Sequence, residues 1–193
     1  MSRKRSQEIL ETVKDLKVLP IPPDKLFTMV ARRFIGVHEE NSNNDGIMVR
    51  AFQRVVGEAV KEPWCLSFVQ GCVMATEIFS NTKATFPALE HCQMAAREAH
   101  AKNLELPRPR IGCIVLWKKE GSDKGHAGIV IDILRTGGRA EITTVEGNTG
   151  GEDERDGDGV YMKIRLRGEI PGFEKPRFFD PDFRYPLPKR PPL

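Results

Sequence analysis

The chain has 193 residues, 39% of them hydrophobic, enough for one domain of ordinary size with its own core and requiring no second. Its net charge of +3 is mildly basic and gives no reason to expect a nucleic-acid partner. No stretch is long and apolar enough to cross a membrane, and the start MSRKR has no apolar run behind it, so synthesis in the cytoplasm without a signal peptide is expected.

Residues 6–19 carry Ile9, Val13 and Leu16 at helical spacing. Asp24, after Pro22 and Pro23, is placed to cap a second helix with Leu26, Met29, Val30 and Phe34 on one side. Both helices read as packing elements. The loop 38–46 is polar and closes on Asp45-Gly46, a turn signal. Its side chains Glu39, Glu40, Asn41, Asn43, Asn44 and Asp45 could ligate calcium, but EF-hand spacing is absent and a plain polar loop beside a cleft accounts for them too. No other cofactor is expected. A third helix is predicted over 47–56, stopping at Gly57.

The run EPWCLSFV, residues 62–69, places Cys65 where a loop gives way to a helix apolar on most sides. At a helix N-terminus, free N–H groups and the helix dipole favour thiolate over thiol. Taken alone, such a cysteine reads more readily as a small buried hydrophobe. Residues 81–86 read as a connector, and Pro87 suits the first turn of a helix reaching about 102, with Leu89, Cys92 and Ala96 on its apolar side. Pro107 and Pro109 end any helix, and the period then changes. The runs 111–118, 127–134, 140–145 and 160–166 read as four strands of an antiparallel sheet. Helices first and strands after make the fold class α+β, with the Cys65 helix packed on the sheet in the papain-like manner. The glycine- and acid-rich stretch 150–159 reads as a hairpin loop, and the aromatic residues of the proline-rich tail suggest that it docks.

The four cysteines, Cys65, Cys72, Cys92 and Cys113, are expected to be reduced. Cys65 and Cys72 share a helix face but lie roughly 10 Å apart along the axis, too far for a disulfide. Cys72, Cys92 and Cys113 read as structural. His91 and His100, nine positions apart, fall on opposite faces of one helix, which disfavours a metal site.

A thiolate nucleophile needs a base, and His126 opens a strand in KGHAGIV, residues 124–130. Glu146 and Asn148 end a further strand, and alternation puts both on one face, with Val145 pointing to the core. A surface histidine and a polar strand end are the plainer readings of each alone.

In these contexts the order Cys, His, Glu-x-Asn resembles the CHAP family of cysteine amidases and endopeptidases that cut bacterial peptidoglycan. The motifs that carry it are EPWCLSFV, RIGCIVLW (110–117), KGHAGIV, and VEGNTG (145–150) with RDGDGVYMKIR (155–165); the last pair is similar to phage-associated members. Residues 36–40, GVHEE, ahead of an Asn-rich loop, are similar to the segment those members carry before the nucleophile. The resemblance spans roughly residues 34–172. It implies a catalytic domain there, with 1–33 as a helical packing segment and 173–193 as a tail docked on the same domain. It makes Cys65 the nucleophile, His126 the general base, Glu146 the orienting acid and Asn148 an auxiliary polar group near the oxyanion. Trp64 and Trp117 read as packing before substrate platforms, although its place beside Cys65 could let Trp64 line the substrate cleft. The partner implied is peptidoglycan, cut by a monomeric phage-type lysis enzyme without membrane insertion and released through a holin. Two alternatives stay open: a cysteine hydrolase or acyltransferase on another amide, and a non-catalytic wall-binding module.

Overall fold

The computed structural model describes residues 3–18, 21–40, 43–136, 139–150 and 157–185. Among these, the helices are α1 (Gln7–Thr12), α2 (Pro23–Arg32), α3 (Ile47–Val56), α4 (Cys65–Ser80) and α5 (Cys92–Ala101), with a 3-10 turn over Lys14–Val18. The strands are β1 (Lys83–Ala84), β2 (Glu105–Leu106), β3 (Ile114–Lys118), β4 (Gly125–Thr136), β5 (Arg139–Thr149), β6 (Gly159–Leu166), β7 (Arg177–Phe179) and β8 (Phe183–Arg184). In the described residues a six-stranded antiparallel sheet runs in the order β2-β7-β3-β4-β5-β6, and β1 pairs with β8 apart from it. The fold is therefore α+β, with helices packed against an antiparallel sheet in the papain-like layout.

Helix α4 is the centre of the packing. Every residue from Cys65 to Glu77 is buried. One side meets α2 and α3, the other meets β4 and β5. Phe68 of α4 meets Phe34 and Phe52 edge-on, at centroid distances of 6.3 and 5.4 Å. Alternation along β4 sends Ala127, Ile129 and Ile131 into this main core, while Val130 joins Val115, Trp117 and Ile142 in a smaller cluster on the sheet's other face. Polar atoms inside α4 are satisfied by the chain start and by the segment after β1. The Gln70 amide donates to the carbonyls of Pro87 and Leu89 at 2.8 and 2.9 Å and accepts from Arg3 Nε at 2.7 Å. The Arg3 guanidinium also donates to Glu77 and to the Phe86 carbonyl.

Several expectations are met and several are corrected. Helix α3 spans the predicted 47–56, ended by Gly57 in the left-handed conformation. The first predicted helix instead leaves helical geometry at Val13 and tightens into the 3-10 turn, which still buries Ile9, Val13 and Leu16. Asp24 does not cap α2, whose N-cap is Pro22; its carboxylate accepts from Arg110 at 3.0 Å. The helix expected from Pro87 starts only at Cys92, because the carbonyls of Pro87 and Leu89 are taken by Gln70. The four predicted strands are present, the first shorter, starting only at Ile114, and the other three longer than expected, and the short strands β2 and β7 extend the sheet beyond them. Through β7 and β8 the tail docks as far as it is described: Phe178 and Phe179 are buried and Phe183 meets Phe27 at 5.6 Å. Residues 151–156 of the predicted hairpin loop and 186–193 of the tail lie outside the described residues. Among the described residues no helix is long and apolar enough to cross a membrane.

Strand β5 approaches α4 so closely at Gly147 that a Cβ there would lie 2.6 Å from Phe68 Cβ and 2.9 Å from Trp64 Cζ3. Gly147→Ala is expected to lower the unfolding free energy by about 2 kcal/mol, read as a reduced urea midpoint. An unchanged midpoint would mean that α4 can move off the sheet at little cost.

Candidate active site

Cys65 is the first residue of α4. Its predecessor Trp64, at φ −110° and ψ 16°, supplies no side-chain cap, and the first helical bond runs from Phe68 N to the Trp64 carbonyl at 2.9 Å. The N–H groups of Cys65, Leu66 and Ser67 therefore lack intrahelical acceptors. The Cys65 sulfur lies 3.9 Å from Cys92 Sγ and 4.0 Å from the Gly125 carbonyl, and the neighbouring His126 helps to lower its pKa.

His126 is brought there by the sheet. Strand pairing sets it beside Trp117 of β3, and the two rings stack with centroids 5.6 Å apart. The imidazole Nε2 is 2.9 Å from Glu146 Oε2, which leaves Nδ1 for Cys65. Glu146 comes from β5, where its Cα faces that of Gly128 in β4; a Cβ on Gly128 would lie 2.9 Å from Glu146 Cγ, so this glycine gives the carboxylate its room. Glu146 is fully buried and accepts four bonds. Besides the one to His126, Arg165 of β6 donates through Nε at 3.0 Å and Nη2 at 2.7 Å, and Thr144 Oγ1 donates at 2.5 Å.

These contacts decide the charges. The bond from Cys92, followed by that of His126, holds the Cys65 thiol well below its ordinary value despite burial. Burial favours neutral imidazole, but the bonds to Cys65 and Glu146 overcome it and raise His126 to about 10. Burial likewise pushes the Glu146 carboxyl up, and His126 with Arg165 behind it outweighs that, bringing it to about 2. The resting state is thus a thiolate beside an imidazolium, backed by a carboxylate and a guanidinium. Such a group is equipped for nucleophilic attack on an acyl carbon and for proton return to a leaving group.

Cys65, His126 and Glu146 are brought together as anticipated; Asn148 and Trp64 are not part of that group. A register shift between Glu146 and Thr149, with Asn148 at φ 53°, breaks the alternation that would have put Asn148 beside Glu146. Asn148 Oδ1 accepts the Trp64 N–H at 3.2 Å, and Nδ2 donates to Asn44 Oδ1 and the Gly157 carbonyl at 3.0 and 3.1 Å. With its amide engaged on the protein, it clasps the loop ahead of Cys65 instead of facing an oxyanion. Trp64 is fully buried, stacked on Phe52 at 5.9 Å and bonded through Nε1 to Glu39, so it offers no face to a substrate. The loop proposed for calcium spends its oxygens on the chain's own donors. Glu39 accepts from Trp64, Asn148 and Asn44, Glu40 from Ile47 N, and Asp45 from Arg50 and Gly46. Among the described residues no group of three His, Cys, Asp or Glu could hold a metal ion. Asn41 lies outside the described residues.

A cleft of about 540 Å3 opens onto Cys65, with Glu58, Pro63, Cys92, Lys124 and Gly125 in its walls. Burial, only partly offset by a hydrogen bond from Ser67, lifts the Glu58 carboxyl to about 7. Sequence reasoning missed Arg165 and Thr144 as supports of Glu146. The pairing of Thr144 with Lys163 would have pointed to both, since it puts residues 144, 146, 163 and 165 on one face. It also classed Cys92 as structural, since nothing local ties position 92 to position 65.

A search of curated proteins and a search of solved structures each returned no match. The family profile of the CHAP domain matches residues 57–148, a span that holds Cys65, His126, Glu146 and Asn148. This domain type supports hydrolase activity of the amidase or peptidase kind. Over residues 57–148 this chain is thus similar to the CHAP domain.

Proposed function

We propose that the protein is a cysteine-dependent hydrolase that cleaves an amide of bacterial peptidoglycan, either the bond joining sugar to stem peptide or one within the peptide, in the manner of a phage lysis enzyme. The observation that carries this reading is the Cys65 thiol at the start of α4, its pKa lowered by an imidazole whose Nε2 is 2.9 Å from the buried Glu146 carboxylate, at the end of an open cleft. The domain type, often directed at peptidoglycan, supports the substrate class. Release to the wall through a holin belongs to the same reading.

The Cys65 thiolate attacks the amide carbonyl, and backbone N–H groups at the start of α4 stabilise the tetrahedral oxyanion; one such donor is worth about 3 kcal/mol of barrier. His126 gives its proton to the leaving amine, then takes one from water for deacylation. Glu146 holds the ring with Nδ1 toward the sulfur and stabilises the imidazolium. Arg165, which touches neither sulfur nor ring, is a positioning residue that keeps Glu146 ionised and fixed.

The first test is digestion of purified peptidoglycan by the wild type and by Cys65→Ala, with mass spectrometry of the fragments. Cys65→Ala is expected to lower release by about a thousandfold or more; full hydrolysis by the variant would overturn the reading. Fragment masses tell lactyl-amide cleavage from peptide cleavage.

The pH profile is a second test. The thiolate–imidazolium pair persists from the lowered Cys65 value up to about 10, where His126 loses its proton, so kcat/KM is expected to hold across neutral pH and fall near pH 10. Glu146 raises His126, so Glu146→Gln should move the alkaline limb to lower pH. Arg165 lowers Glu146, so Arg165→Gln should lift that carboxyl from about 2 and move the acid limb upward. A loss of stability alone would leave both limbs in place.

A further inference from the structure

The four cysteines do not share one environment. Cys72 is fully buried inside α4 and Cys113 just before β3, each packed among apolar side chains. Cys92 instead opens α5 as Cys65 opens α4, and the two helix starts converge on one cleft with their sulfurs 3.9 Å apart. All four thiols are free. We propose that Cys92 is a resolving cysteine, and that a hydroperoxide converts the pair into a Cys65–Cys92 disulfide that shuts the enzyme off reversibly.

The chemistry follows from which sulfur keeps the proton. The bond between the sulfurs lowers Cys65 and raises Cys92, so Cys92 S–H donates to the Cys65 thiolate. The thiolate attacks one oxygen of hydrogen peroxide; the O–O bond breaks, an S–O bond forms, and the departing hydroxide takes the His126 proton and leaves as water. Cys65 is now a sulfenic acid, its sulfur oxidised by two electrons and the peroxide reduced by two. The Cys92 sulfur then displaces the hydroxyl; an S–S bond forms as the S–O bond breaks, and the Cys92 proton goes out on a second water. A disulfide needs sulfurs about 2 Å apart, so closing the pair requires about 2 Å of side-chain movement, at the first residue of each helix, where no further helical turn precedes it. The cleft admits the peroxide. Without Cys92 the sulfenic acid lies open to a second peroxide and to the sulfinic state, which dithiols do not reduce.

The proposal rests on Cys65 being the nucleophile of the reaction proposed above, but its test does not depend on that reaction. The full-length protein is treated with hydrogen peroxide, remaining thiols are blocked with iodoacetamide, and peptides are mapped before and after dithiothreitol. The expected result is a linked peptide joining Cys65 to Cys92, the oxidised protein being two hydrogens lighter, with linkage abolished by dithiothreitol. Where wall hydrolysis is measurable, activity should be lost on oxidation and return in full. Cys92→Ala should instead carry two added oxygens on Cys65 and regain less than a tenth of its own starting activity. Sulfinic acid on wild-type Cys65 with no linked peptide would overturn the proposal, as would recovery of Cys92→Ala equal to that of the wild type. If the linked peptide forms but peptidoglycan is not cut, the substrate reading fails and the switch stands.

Discussion

A helix without a solvent face has to be enclosed, and enclosing α4 decides where the rest of the fold goes. Helices α2 and α3 cover one side, the sheet the other, and Arg3 with the segment after β1 satisfies the polar atoms that α4 carries inward. Enclosure leaves the N-terminal end of α4 as its functional outlet. A side chain placed there meets a cleft, backbone donors that lack intrahelical acceptors and whatever the neighbouring strands present. In this chain that side chain is a thiol, and the strands present an imidazole and a buried carboxylate.

The carboxylate is where electrostatics takes over from packing. A fully buried Glu146 would be costly to hold ionised without compensation, and four donated bonds supply it. Three adjacent strands contribute the donors and the acid itself, so the sheet's register, rather than any loop, sets the geometry. From sulfur to guanidinium the charges alternate along Cys65, His126, Glu146 and Arg165, and each member steadies its neighbours. The loop ahead of Cys65 is held separately, by Asn148, Glu39 and Asn44. Two polar systems thus meet at the sulfur, one setting its charge and the other its place.

Much of this could be read from residue order because the information was local. An apolar run after Pro-Trp-Cys makes a helix whose first residue is the cysteine, and a glycine-flanked histidine opening a strand is a local pattern as well. Readings failed where tertiary contacts override local preference. Pro87 is a good first-turn residue, yet Gln70 claims the carbonyls around it. Asn148 obeys strand alternation until a register shift that no single-strand pattern reveals. Arg165 depends on a hairpin register, and Cys92 on two helix starts converging; neither leaves a trace in one sequence. Trp64, by contrast, packs as its leading reading had it, with its ring on Phe52 in the core.

The Arg3 contacts bear on how such a chain matures as it is synthesised. The carbonyl that Arg3 binds belongs to Phe86, 83 residues further on, so the chain's opening segment cannot reach its final position until α4 and the connector beyond it have emerged. The charge relay is later still, because Arg165 lies in the last long strand of the sheet. A nascent chain halted before β6 would carry Cys65, His126 and Glu146 without the cation that stabilises the buried acid. Assembly of the reactive thiol is in this way postponed until nearly the whole domain has been made.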